Sequence, residues 1–184
     1  MSKVYFFKMR IYFTGLVAIA IWSLLAWNHF HGGIPSHHIL ADKDLPEISN
    51  LWGALLLPLL TWFLSYRTQK RIFSQGDSIV ELSTIKQAMY AFTISLAYGA
   101  ITAGLFSYGY PDMTGNMMLG IFVLALFFPV YRAECLLGFV MGMTVTFGAV
   151  LPTGIGSILT LIAFVLFRGV RPVVLYVASR MRRK

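Results

Sequence analysis

The four histidines of this chain, His29, His31, His37 and His38, fall within ten residues of one another, in the segment NHFHGGIPSHHILADKDLPE. Asp42, Asp44 and Glu47 follow directly. Neutral imidazole and carboxylate are good ligands for zinc, nickel or copper. His29, His31, His37 and His38 are therefore the candidate metal ligands, and together with Asp42 and Asp44 they are the candidate solute-binding or gating groups. In an extended segment His29 and His31 would point the same way, whereas the adjacent His37 and His38 would point apart. Gly32, Gly33 and Pro35 allow a tight fold that draws the two pairs together. The spacing matches no closed motif such as H-E-x-x-H. Histidine also titrates near neutrality, so pH sensing is a second use of the same cluster. A polar loop at the level of lipid headgroups is the plain structural alternative.

The rest of the chain decides where this loop sits. It has 184 residues, of which 58% are hydrophobic and only 12% charged, and its mean hydropathy is +0.72. Soluble domains are about 25% charged, so this chain has too little polar surface to cover a globule in water, and lipid is its natural solvent. Six apolar runs stand out, at about residues 11–28, 51–66, 86–108, 115–131, 135–151 and 154–173. They predict an all-α integral membrane protein, a six-transmembrane-helix bundle forming a single domain over residues 1–184, with an outer loop at 29–50. The second, fourth and fifth runs are short against the roughly 20 residues a span needs. Bilayer thinning or snorkelling of flanking side chains would accommodate them.

Charge orients the bundle. With six spans and a cytoplasmic N-terminus, the inner segments carry Lys3, Lys8, Arg10, Arg67, Lys70, Arg71, Lys86, Arg132, Arg168, Arg171, Arg180, Arg182, Arg183 and Lys184. Only Lys43 of the 15 Lys and Arg residues falls outside. Positive charge is retained on the cytoplasmic side, which predicts both termini there, in a bacterial cytoplasmic (inner) membrane. The net charge of +8 then reads as contact with anionic lipids and not with nucleic acid. No small-x-small cleavage site follows the first run, so it is expected to stay as a span. Trp27, Trp52, Tyr108 and Tyr110 at outer boundaries, and Tyr66 and Tyr131 at inner ones, match an aromatic belt. Ser36 or Ser49 could cap a short helix or the second span. Residues 67–85 are expected to form a turn and a short amphipathic stretch. Pro172 suits an interfacial helix or a kink at the end of the sixth span.

Ala91, Ser95, Gly99, Ala103 and Ser107 recur every fourth residue on the third run, and Gly138, Gly142 and Thr146 do so on the fifth. Residues four apart share a helix face, and small side chains there let membrane helices approach closely. These are expected to be packing faces. Charge within the spans is nearly absent, with Arg132 and Glu134 expected to pair or meet headgroups in the inner turn between the fourth and fifth spans. The missing mid-membrane acids and histidines weigh against a charged proton relay. Neutral groups remain at Ser23, Thr61, Thr93, Thr102, Thr144 and Thr146. Pro58 is the candidate kink, while Pro129 and Pro152 suit helix ends. Cys135, the single cysteine, is expected at the inner face. The histidines are expected outside, so no Cys–His pair forms.

These features predict a multi-pass membrane protein that serves as a small-solute or metal-ion transport or binding component through its outer histidine loop. A membrane-embedded metal- or His-dependent enzyme acting on a lipid or quinone at the outer leaflet is the second reading, with the balance against an enzyme. An accessory subunit of a larger membrane complex, associating with its own copies or with other membrane subunits, is the third.

Overall fold

The computed structural model describes residues 2–31, 36–38, 47–73, 80–173 and 176. They form six helices and one small hairpin: α1 (Lys3–Phe30), β1 (Ser36–His38), β2 (Glu47–Ser49), α2 (Gly53–Ile72), α3 (Leu82–Ser107), α4 (Pro111–Phe127), α5 (Ala133–Phe147) and α6 (Val150–Val165). A wide π-helical turn at Leu166–Val170 extends α6, giving a continuous helical stretch Val150–Val173. Three of these helices, Lys3–Phe30, Leu82–Ser107 and Val150–Val173, are long and apolar enough to cross a membrane. Large apolar side chains such as Ile19, Leu55, Ile101, Leu119, Val123 and Leu161 are exposed on the helix faces. A soluble protein rarely leaves so broad an apolar surface uncovered. This is the surface of an integral membrane protein.

Each apolar run lies on a helix, but the helix ends differ from the run ends. α1 starts at Lys3, where the Ser2 hydroxyl accepts from the Tyr5 amide at 3.3 Å and caps the helix. α2 continues past Tyr66 through RTQKRI to Ile72, so the start of the expected surface loop is helical. Hydropathy marks where apolar side chains stop. Arg, Gln and Lys are good helix formers, and nothing in that stretch breaks the backbone pattern. Pro111 opens α4 at the first helical position, where its missing N–H costs nothing. Pro152 lies in the first turn of α6 and Pro129 between α4 and α5. Pro58 lies inside α2.

Side-chain contacts show that successive helices run in opposite directions. Arg10 meets Gln69 at one end of the α1–α2 pair and Trp22 meets Ala54 at the other. Ile72 and Ile85 share an apolar cluster, so α3 starts where α2 stops. Tyr98 meets Met117 between α3 and α4. Tyr131 packs on Phe164 and Phe167, near the far end of α6. α5 is the innermost helix and touches α2, α3 and α6. It is 15 residues long, roughly 22 Å at 1.5 Å per residue, and a helix wrapped by its neighbours has little need to match the bilayer.

The α3–α5 contact rests on missing side chains. A Cβ on Gly99 would fall 2.5 Å from the Phe139 carbonyl oxygen. On Gly138 it would collide with the Phe92 carbonyl, and on Gly142 with that of Leu96. Ala103 of the same stripe is buried, Ala91 and Ser95 are half-buried, and Ser107 is exposed. Ser107 Oγ donates to the Ala103 carbonyl at 3.0 Å. A second core, of Val17, Ile21, Leu25, Leu57, Val140 and Ala149, joins α1, α2 and α5.

Candidate functional site

The histidine segment begins on the last turn of α1. His29 lies within the helix and His31 is its C-terminal cap, both exposed. Residues two apart on a helix do not face each other, so the expected convergence of His29 and His31 in an extended segment is not what forms. His31 is held by its own helix instead. Its ring stacks on Trp27 with centroids 3.9 Å apart, and its Nδ1 lies 3.0 Å from the Trp27 carbonyl oxygen. That bond needs the proton on Nδ1, which leaves the Nε2 lone pair for a ligand. His29 packs edge-on against Phe30.

His37 and His38 lie on β1. In the antiparallel register Ser36 is opposite Ser49, His37 opposite Ile48 and His38 opposite Glu47. The hairpin thus brings an acid and a histidine nine residues apart in sequence onto one rung of the ladder. Asp42 and Asp44 lie outside the described residues, as do the side chains of His37 and His38. Among the described residues, no three His, Cys, Asp or Glu side chains come together as a metal site. The hairpin leads straight into α2: Ser49 Oγ accepts from the Leu51 amide at 3.2 Å and caps the single 3-10 turn Asn50–Trp52. Asn50 then lies against Gly148 in the α5–α6 turn, where φ is +69° and a Cβ would strike the Asn50 amide.

The opposite end of the bundle holds a polar network that hydropathy did not reveal. Arg10, only 7% exposed, donates from Nη1 to Gln69 Oε1 at 3.1 Å. Gln69 Nε2 in turn donates to the Lys3 carbonyl at 3.2 Å. The guanidinium lies 4.0 Å from the Trp62 ring centroid and 4.9 Å from that of Phe7. Aromatic faces attract a cation, and here they shield it from hydrocarbon. Glu134, 4% exposed, accepts from Arg71 Nη2 at 2.5 Å and from Thr68 Oγ1 at 3.3 Å. The expected Arg132–Glu134 pairing is therefore not what satisfies the acid. Glu134 is on the first turn of α5 and turns inward to α2, so its partner is 63 residues away. These two links fasten α1 to α2 and α2 to α5. The signal for them in the sequence is weak: an acid at the start of one apolar run and a basic cluster at the end of another.

Hydroxyls in the interior are largely self-contained. Thr61, Thr102 and Thr144 each donate to the carbonyl four residues earlier, at 2.7, 2.8 and 2.7 Å. They retain acceptor lone pairs but have no proton left for a passing solute. An apolar, open groove of about 380 Å³ lies at the hairpin end between Trp52, Leu55, Leu59 and Val150. No family model, curated protein or solved structure matches this chain.

Proposed function

We propose that the chain crosses the membrane six times with both termini in the cytoplasm. In this reading it is the membrane-embedded component of a small-solute or metal-ion transport or binding assembly, and its outer histidine loop recognises the cargo. The alternating helix directions support the topology. They put every described Lys and Arg (Lys3, Lys8, Arg10, Arg67, Lys70, Arg71, Lys86, Arg132, Arg168 and Arg171) toward one end of the bundle. Positive charge belongs on the cytoplasmic side, so the histidine hairpin faces outward.

The observation that carries the binding role is His31. Its Nδ1 is fixed by the Trp27 carbonyl and its ring by the Trp27 indole, the kind of outer support that orients a ligating imidazole. The hairpin that follows puts His38 on the same rung as Glu47, which supplies imidazole and carboxylate within one short segment.

Metal content after purification tests this. Zinc, nickel or copper in stoichiometric amount, lost in His37→Ala and His38→Ala, supports the metal version. Absence of metal from both the wild type and the variants sinks it. Uptake by proteoliposomes, set against turnover of extracted lipid, then separates transport from catalysis.

A second reading, an accessory subunit, draws on the interior. Glycine-mediated α3–α5 packing and threonines bonded to their own helices describe a closely packed α3–α5 interface with few free polar groups. Co-purification with a fixed set of other membrane chains, with no uptake by the protein alone, would favour it.

A further inference from the structure

The bundle is not closed everywhere. A cavity of about 100 Å³ lies among α3, α4, α5 and α6. Ile94 on α3 and Leu124 on α4 line it, and both are also exposed on the outer surface, so the space opens toward the surroundings between them. Phe139 on α5 and Leu159 and Ala163 on α6 line its depth. α3 and α4 are tied together on one side of the opening, where the Tyr98 hydroxyl donates to the Met117 carbonyl at 2.5 Å. Ser95 on α3 and Ala163 on α6 contribute only small side chains to the walls.

The lining offers little to a polar guest. The Tyr98 hydroxyl is already donating, the Cys135 thiol lies against the Ser95 hydroxyl, and Thr160 adds one further hydroxyl. Among the described residues, no charged side chain lines the space. An apolar cavity of this kind stays dry. Left empty, it forfeits dispersion contacts along its walls. The medium at its mouth is hydrocarbon, since Ile94 and Leu124 are part of the exposed apolar surface.

We propose that this cavity binds the end of a single hydrocarbon chain, the acyl tail of a membrane lipid, which enters between Ile94 and Leu124. Apolar cavities of about 150 Å³ hold a molecule the size of benzene, so this one accommodates a few carbons of a chain and no headgroup. The site rests on the reading that α3, α4 and α6 face lipid.

The test uses phosphatidylcholine vesicles doped with a phosphatidylcholine that carries a diazirine at the end of one acyl chain. After irradiation, adducts are mapped by peptide mass spectrometry. The expected result is adducts on Ser95, Phe139 or Leu159 as well as on the outward-facing Leu119, Val123 and Leu161. Ala163→Leu, which fills the cavity, should abolish the inner adducts and leave the outer ones unchanged. Thr160→Leu does the same from a half-buried position should the first variant fail to fold. Adducts confined to the outer set in the wild type overturn the site and leave the lipid-facing reading standing. Absence of adducts from both sets overturns that reading and the site with it. Inner adducts that persist in both filled variants also overturn the site.

Discussion

Trp22 supplies the hydrogen bond that Pro58 cannot. A proline has no N–H, so Pro58 leaves the carbonyl of Ala54, four residues earlier on α2, without its helical donor. The Trp22 indole on α1 donates to that carbonyl at 3.0 Å. In hydrocarbon no water can stand in for a missing donor. The proline and the tryptophan, on different helices, are thus one device.

This makes their effects non-additive. Trp22→Phe keeps an aromatic ring and removes the donor, and should cost about 1 kcal/mol. In a Pro58→Ala background the restored backbone amide can reach the Ala54 carbonyl itself, so the same substitution should cost close to nothing. The measurement is thermal unfolding of the four proteins of the cycle in one detergent. An equal cost in both backgrounds would show that Trp22 and Pro58 act independently.

The glycines of α3 and α5 divide sharply by environment. Gly138→Ala and Gly142→Ala push a Cβ into α3 backbone, and overpacking of this kind costs about 1–3 kcal/mol. Gly104, on the same helix as Gly99, has nothing within 4 Å of its Cβ position. Gly104→Ala should be neutral or stabilise by up to about 1 kcal/mol through helix propensity. Thermal midpoints of the three variants check the ranking, and a Gly104 variant as damaged as the Gly138 one would refute it.

Arg71 and Glu134 should respond unequally. The Arg71 side chain is 36% exposed and that of Glu134 4%. Glu134→Gln removes a buried charge, keeps an acceptor for Arg71, and leaves a cation that headgroups and water can reach. Its cost should be about 1 kcal/mol. Arg71→Met strands the buried carboxylate with the Thr68 hydroxyl, and breaking a buried pair from that side costs about 3 kcal/mol or more. Urea or thermal unfolding of both variants decides the order. A larger loss for Glu134→Gln would contradict this account of the pair.

What is legible in the sequence follows from distance along the chain. Local hydropathy locates six helices, since an apolar run is a property of neighbouring residues. Four-residue spacing likewise picks out Gly99, Gly138 and Gly142, because a helix face is local. Arg10 and Gln69 are 59 residues apart and Arg71 and Glu134 are 63 apart. No local pattern pairs them, so by sequence Arg10 reads as a headgroup cation and Glu134 as a partner for Arg132. His29 and His31 mislead for a different reason. An extended backbone would align their rings, whereas α1 continues to Phe30 and its periodicity separates them. Asn50 against Gly148 and Trp22 at Ala54 belong with the long-range contacts that only the packed bundle displays.

The orientation of the bundle underlies every functional statement about the histidine hairpin, and cysteine labelling addresses it directly. Cys135 is the single cysteine, so Cys135→Ser gives a clean background for Ser36→Cys on the hairpin and, separately, Ser83→Cys on the exposed first turn of α3. A membrane-impermeant maleimide applied to intact cells should label the Ser36→Cys protein at once and the Ser83→Cys protein only after permeabilisation. Labelling of Ser36→Cys only after permeabilisation would put the histidines in the cytoplasm and contradict the account.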